Sequence, residues 1–400
     1  MRDRLRILVL GYIVRGPLGG LVWHHLQYVK GFVDLGHEVY FVEDSDDYAS
    51  CYDPVRNTIS TDPSYGLEFA VKTFEYMGLG RHWAYYDAHS SRWMGPCAAD
   101  ILRLCATADL LVHMSGKNRV RAYLSEVPVR VLVDTDPVFT QLRHLKNARA
   151  KEDALKHTAF FSFGENIANG RSSVPSDGYT WHATRQPIVL DAWPVTQGPE
   201  GGKFTTVMQW DSYATEIYEG THYGMKSDSF GPYLDLPLRM ENLFELAVGS
   251  PTAPRALLAS NGWMVRNPLE VTRTAWSYQR YIQASKAEFG IAKHGYVVSW
   301  SGWFSERSAA YLASGRPVLL QDTGFSEWLE TGAGVLKFQN RDELMAGIED
   351  INRRYRYHCH AARAIAETYF DARKVLSRLI NHALNPNRHT PARSDETNSN

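Results

Sequence analysis

The chain has 400 residues, a formal net charge of −1 and a pI near 7, with 44% hydrophobic and 22% charged residues. That length predicts two or three domains, each large enough to bury a core of its own. The even charge balance gives no electrostatic ground for a nucleic-acid or membrane-surface partner, and no stretch approaches the ~18 apolar residues of a membrane span.

Two further exclusions follow from the thiols and the N-terminus. Cys51, Cys97, Cys105 and Cys359 show neither a CxxC pair nor a metal-like spacing, so they read as small buried thiols of a reducing cytosol. The apolar run from Ile7 to Val14 follows basic residues, as in a signal peptide. It is short, Arg15 follows it, and it lacks a small-residue cleavage site. It reads as a first core strand of a cytoplasmic protein.

Strand-like and helix-like segments alternate along the chain, which predicts an α/β fold with parallel sheets. Residues 6–12 read as a strand, 21–35 as an amphipathic helix stopped at Gly36-His37, and 38–42 as the next strand. Further strands are expected over 110–113, 129–134 and 159–163, with helices over 98–105 and 138–156. The Pro- and Gly-dense residues 187–203 read as an interdomain linker.

After the linker the alternation starts afresh. The expected elements are a strand over 204–210, a helix over 235–248, a strand over 255–260, a helix over 267–286 and a short strand over 295–300. Ser305 then caps a helix over 306–314 by accepting from the backbone N–H of Ser308. Gly315 supplies a left-handed stop, Pro317 forbids further helix, and Val318-Leu319-Leu320 reads as a strand buried on both faces. Amphipathic helices over 342–369 and 372–384 close the fold, and the polar residues 385–400 read as disordered. The expected organisation is an N-terminal domain over 1–190, a linker over 191–203, a C-terminal domain over 204–356, helices over 357–384 packing back on the first domain, and the 385–400 tail.

Several residues could carry chemistry. Gly16-Pro17-Leu18-Gly19-Gly20 follows the first strand, and glycines there let backbone N–H groups approach an anion at a helix start; a plain strand-to-helix turn is the competing reading. In the next turns His24, and with less reason His25, could orient a hydroxyl or act as general base. Asp134-Thr135-Asp136 ends a buried strand. Its carboxylates could grip a cation, Asp136 could contact an acceptor as general base, or Asp136 could simply cap the helix that follows. Lys226, Lys286, Lys293 and Arg307 offer positive charge to a departing diphosphate. Arg307 stands out, because a cation in a helix's first turn opposes the dipole.

The GG pair followed by Trp23-His24-His25, a helix and Gly36-His37-Glu38-Val39 resembles the opening of GT-B glycosyltransferases. The segment SERSAAYLASGRPVLLQDTGFSE, residues 305–327, is similar to their donor segment: a helix ending in A-x-G-x-P, a strand, then T-G-x-x-E. Together the likeness spans roughly residues 5–380.

It implies two Rossmann-like parallel-sheet domains facing across a cleft, with C-terminal helices crossing back to the first. It also implies metal-independent transfer of a sugar from a nucleoside diphosphate sugar, a co-substrate rather than a cofactor, to a small-molecule or glycan acceptor. Gly19, Gly20, Lys226, Ser305, Ser308, Thr323, Gly324 and Glu327 would then serve the donor, beside Lys286 and Arg307. His24 and Asp136 would lie near the acceptor hydroxyl. Gly302 and Ala310 stand where the retaining group of this family carries paired glutamates, so the stereochemical course stays unassigned. A nucleotide-sugar epimerase of the same fold and a non-catalytic carbohydrate-binding protein remain as alternatives. Glycosylation of a modified nucleic-acid base is a remoter one.

Overall fold

Two sheets carry the chain, and their central strands are buried over most of their length because helices cover both faces. The computed structural model describes residues 4–240 and 242–385. In the eight-stranded sheet the order is Trp181–Ala183, Ala159–Ser162, Val129–Asp134, Leu110–Met114, Arg6–Leu10, Glu38–Asp44, Trp83–Asp87 and Arg92–Met94. All neighbours run parallel except the last pair. Ile7 lies beside Val39 on one side and Leu110 on the other. The six-stranded sheet is parallel throughout, in the order Met264–Arg266, Phe244–Gly249, Phe204–Gln209, Ala287–Gly290, Val318–Gln321 and Val335–Phe338.

In each sheet the winding reverses beside the first strand of its half. The reversal falls between Arg6–Leu10 and Leu110–Met114, and again between Phe204–Gln209 and Ala287–Gly290. Ligands of open α/β sheets bind outside the carboxyl ends of strands at such points.

Local chemistry sets several boundaries as expected. The Gly19–Asp34 helix ends where Gly36 adopts φ +88°, with the His37 N–H donating back to the Phe32 carbonyl at 3.2 Å. The Glu306–Ala313 helix ends the same way: Gly315 takes φ +70° and the Arg316 N–H reaches the Tyr311 carbonyl at 2.9 Å. Ser305 does cap this helix, but its hydroxyl accepts from Arg307 N rather than from Ser308 N.

Other segments differ from expectation. Residues 235–248 are not a helix but a short 3-10 turn, Leu236–Leu238, and the strand Phe244–Gly249. Residues 255–260 form a helix where a strand was expected, and the strand follows at Met264–Arg266. Short apolar runs such as FELAVG and RALLAS fit either element by periodicity. Residues 294–298 make a helical turn, not the expected strand, despite two valines. The long helices expected over 138–156, 267–286 and 342–369 are each broken in two or more. Within 51–86, for which no element was expected, lie a hairpin and the helix Ser64–Tyr76. The expectation of disorder over 385–400 falls outside the described residues, except for Asn385.

The last helix, Ala372–Leu384, packs on Gly19–Asp34. Before it, Ile188 bridges Asp371, and the Ile188 N–H donates to Phe370 at 2.7 Å. One buried apolar cluster runs from Ile7 and Val9 through Trp193, Phe304 and Phe370 to Leu376, so the core is continuous between the sheets. Gly31 permits the helix crossing: a Cβ there would lie 2.5 Å from Leu376 Cδ1 and 3.1 Å from Ala372 Cβ. Gly31→Ala should therefore cost about 1–3 kcal/mol by overpacking. Thermal unfolding checks this against Gly201→Ala, where no atom lies within 4 Å of the added carbon. Equal melting temperatures for the two variants would show that the crossing tolerates spreading.

Candidate active site

The carboxyl ends of the two sheets face each other and are bound together by named polar contacts. Asn166, fully buried, donates from Nδ2 to the Trp300 carbonyl at 3.1 Å and to the Gly324 carbonyl at 3.0 Å. Its own N–H donates to Ser301. Trp303 Nε1 donates to the Thr135 carbonyl at 3.3 Å. Asp136 accepts from Lys293 Nζ at 2.9 Å and from the hydroxyls of Tyr213 and Tyr296. Lys293 in turn reaches Tyr213 Oη at 2.6 Å, with its ammonium 4.3 Å from that ring's centre.

Asp136 is thus neither a helix cap nor free. Val138 occupies the N-cap position of the helix Phe139–Lys146, and Asp136 holds the first sheet to the second. Burial by itself would raise the Asp136 carboxyl, but Lys293 and the two tyrosine hydroxyls bring it below the ordinary carboxylate value. Asp134 points into the core instead. It accepts from Ser162 Oγ at 2.7 Å and Gln141 Nε2 at 3.1 Å, and burial raises its carboxyl. Val138, two residues after Asp136, takes φ +67° and ψ −50°, a sparsely populated region for a β-branched residue and a strain of the kind found at functional sites.

On the second sheet, Arg307 spans the reversal of winding. Its Nε lies 2.5 Å from Glu288 Oε1 and its Nη1 donates to the Val207 carbonyl at 2.7 Å, so it ties together the two strands that flank that point. Glu288 is fully buried, which explains a cation in the first turn of a helix. Nη2 makes no hydrogen bond among the described residues, and Arg307 lines a narrow pocket with Gly290, Ser305, Ser308, Gln321 and Thr323. Ser308 Oγ, fully buried, has no hydrogen-bond partner among the described residues.

Lys226 opens the helix Lys226–Phe230 and is 8% exposed. Among the described residues no carboxylate stands within 4 Å of its ammonium group. Burial first, and then the charges of Arg307 and Lys293, lower it to about 7.

His24 is buried against His25, Tyr28 and Phe163. Burial lowers its pKa while Glu306, from the second sheet's side, opposes that shift. The imidazole is neutral near pH 7 and able to accept a proton. His25 is structural: its Nδ1 meets the Leu21 carbonyl at 2.7 Å, its Nε2 accepts from Tyr12 N at 3.2 Å, and burial lowers it to about 3.

The remaining expected residues divide. A Cβ at Gly19 would lie 2.4 Å from the Thr274 carbonyl oxygen, and one at Gly20 would lie 3.4 Å from the Tyr278 ring. Gly19 therefore admits the start of the helix Ala275–Ala284, while Gly20 only touches it, a packing role that the sequence did not suggest. Thr323 donates to the Trp303 carbonyl, and the Gly324 N–H is held by Asp322 at 3.0 Å. Gly324, at φ +90°, leaves room for Asn166 and Trp300, so this turn is braced rather than open.

Two expected donor residues lie elsewhere. Lys286 precedes the strand Ala287–Gly290 at its amino end, with its ammonium 5.4 Å from the Tyr355 ring centre. Glu327 is an exposed residue facing Arg171 at 3.5 Å. Spacing along the chain does not distinguish the two ends of a strand, which is why Lys286 looked equivalent to Lys293. Asn166, Tyr213, Tyr296 and Glu288 carried no local signal, because each matters only through a partner more than 15 residues away.

Comparison with known proteins addresses the fold. No family model and no curated protein matches the sequence. Among solved structures, the chain is similar to an alpha-glucosyltransferase in complex with UDP-glucose and DNA containing an abasic site. The two share 10% identity over 95% of this chain and 100% of that one, with a TM-score of 0.61. It is also similar to Anabaena HepE in complex with UDP and glucose, at 11% identity over 94% and 98% of the two chains and a TM-score of 0.54. Sucrose-phosphate synthase from Thermosynechococcus elongatus aligns at 10% identity over 96% and 100%, with a TM-score of 0.50. The chain has the GT-B fold, with two Rossmann-like sheets facing across a cleft. No described helix is long and apolar enough to cross a membrane.

Lys226 makes a testable claim about stability. An unfolded lysine titrates near 10.4, above its folded value of about 7, so the folded state bears an uncompensated charge at pH 7 and below. Stability then rises as pH climbs from about 7 towards about 10.4, above which the group becomes neutral in both states. Lys226→Met should melt higher than the parent at pH 6–7, by up to a few kcal/mol, and the difference should shrink by pH 10. A pH-independent difference would mean that Lys226 has a partner.

Proposed function

We propose that this chain is a glycosyltransferase that moves a sugar from a nucleoside diphosphate donor to an acceptor hydroxyl. The observation that carries this reading is buried Lys226, unpaired among the described residues, beside Arg307 at the second sheet's reversal of winding, an anion site in search of an anion. The GT-B neighbours solved with UDP or UDP-glucose support the same reading.

The acceptor oxygen bonds to the sugar's anomeric carbon as that carbon's bond to the diphosphate oxygen breaks. The bonding pair leaves with the nucleoside diphosphate, and the hydroxyl proton passes to a base in the cleft or to the departing diphosphate. Lys226 and Nη2 of Arg307 take up the charge that develops on the leaving group, the role filled by a divalent ion in metal-dependent transfer. On that ground we propose metal-independent chemistry. Neutral His24, on the opposite wall and within the field of Glu306, is the candidate to accept the proton or hold the hydroxyl. Residues 204–356 form the donor side in this reading and residues 1–190 the acceptor side. Free thiols at all four cysteines fit a reducing cytoplasm.

A thermal-shift panel of UDP-, GDP-, dTDP- and ADP-sugars tests the donor. One nucleotide should stabilise the chain, by about 2.7 kcal/mol at a hundred times its Kd. A panel in which none shifts the melting temperature overturns the proposal. With the active donor, Lys226→Gln should raise KM or lower kcat by one to two decades. Arg307→Gln should lower kcat/KM by one to three decades and also destabilise the fold, because it strands buried Glu288. Parental kinetics in Lys226→Gln would remove that residue from the site.

A further inference from the structure

The positive charge in the cleft exceeds what one diphosphate uses, and the excess lies on the other wall. The strand Leu110–Met114 of the first sheet ends in a tight turn in which Ser115 and Gly116 both adopt left-handed backbone, at φ +61° and +59°. The N–H groups of Gly116 and Lys117 donate to no described residue. Arg143, from the helix Phe139–Lys146, leans over this turn. Its Nη2 lies 3.6 Å from where a Cβ of Gly116 would stand, so the glycine leaves the guanidinium its room.

Lys117 is solvent-exposed and Arg143 half-buried, and among the described residues neither has a carboxylate within 4 Å. The crowded cleft wall, and then Arg143, Lys293 and Arg15, lower the Lys117 ammonium, while Asp136 opposes them. Of those neighbours, Arg15 is already matched to Glu43 at 3.4 Å and Lys293 to Asp136 at 2.9 Å. Two cations and two backbone donors thus meet beside one turn, where the acid that acts on them, Asp136, is already bound to Lys293, an arrangement that suits a compact oxyanion.

We propose that the Ser115–Lys117 turn and Arg143 bind a phosphomonoester carried by the acceptor, so that the acceptor is a small phosphorylated sugar or polyol. The inference rests on the glycosyltransferase reading above and names its second substrate. The phosphoryl group is a handle and is not altered; a separate hydroxyl of the same molecule takes the sugar. The width of the charge argues for a single group over a nucleic-acid backbone. The next cations along the loop, Arg119 and Arg121, are matched to Asp44, Asp46 and Asp47 and extend no basic stripe.

The test titrates the intact chain with glucose 6-phosphate and with fructose 6-phosphate, and with the unphosphorylated sugars, by calorimetry in the presence of saturating UDP. A hexose phosphate should bind where its parent sugar does not. Lys117→Gln and Arg143→Gln should each weaken that binding about ten- to hundredfold while leaving the UDP affinity within about twofold. Lys226→Gln should do the reverse.

Hexose-phosphate binding that Lys117→Gln leaves intact overturns the proposal. So does binding lost only in Lys226→Gln, or a 13-mer DNA duplex weakened by Lys117→Gln when no phosphomonoester binds. Lys117→Gln alone decides the matter if Arg143→Gln fails to fold. If UDP does not bind, the same titration on the free chain still reads the anion turn, so failure of the donor reading and failure of this one remain distinct.

Discussion

Lys226 places an ammonium group where water is scarce and no described carboxylate stands within 4 Å, and the arrangement of the cleft follows from that imbalance. Burying an unpaired charge costs several kcal/mol, so a chain selected for stability alone would neutralise it or replace it with an apolar side chain. Here the charges that act on it most strongly are the cations Arg307 and Lys293, with Glu306 and Asp136 opposing them. Arg307 beside it is handled in the opposite way: Glu288 and the Val207 carbonyl lock two of its nitrogens, and the carboxylate raises its already high basicity. One cation is fixed in place and permanently charged. The other is held close to its titration point. An anion entering between them meets a rigid donor and a group whose protonation its own arrival favours, so binding is coupled to proton uptake.

Such a site works only if the facing wall is held at a set distance. Two independent ties do this. At the cleft, Asn166 stitches the first sheet to Trp300 and Gly324, and Asp136 is gripped by Lys293, Tyr213 and Tyr296. At the rear, the helix Ala372–Leu384 lies on Gly19–Asp34, and Gly19 admits the helix Ala275–Ala284. Trp23 joins both regions, donating from Nε1 to the Ala275 carbonyl at 2.7 Å and packing on Trp193 and Trp276. Charge at the mouth and apolar contact at the back thus oppose each other across the molecule.

What the sequence made legible was local. The Ser305 cap, the left-handed Gly36 and Gly315 and the buried Val318 strand depend on residues within a few positions, and each appears where it was expected. Alternation of elements was enough to imply two parallel sheets. Legibility failed where a short apolar run could be either element, as at 244–249 and 255–260, and where function depends on which end of a strand a residue occupies, as with Lys286. It failed again for Asp136, whose neighbours in sequence suggested a cap while its partners lie on the other sheet. The GG pair shows the same limit from the other side. The expected glycines are in place, but what approaches them is Thr274 and Tyr278.

The absent paired glutamates acquire a physical reason in the fold. Gly302 takes φ +76°, and a Cβ there would lie 2.8 Å from Asn166 Cγ, so any side chain would break the tie between the sheets. Ala310 is 3% exposed and sits in the apolar core with Ala309 and Leu312, where a carboxylate would be buried unpaired. Neither position can present an acid to this cleft. Glu306, one turn before Ala310 on the same helix, is half-buried, and its field reaches His24, Tyr12, Tyr278, Lys226 and Arg307. A helix places residues four apart on one face, so a shift of one turn moves a carboxylate along the cleft without moving it out. The helix frame is kept, and the acid it offers stands about 5 Å further towards the helix start, between the imidazole of one wall and the cations of the other.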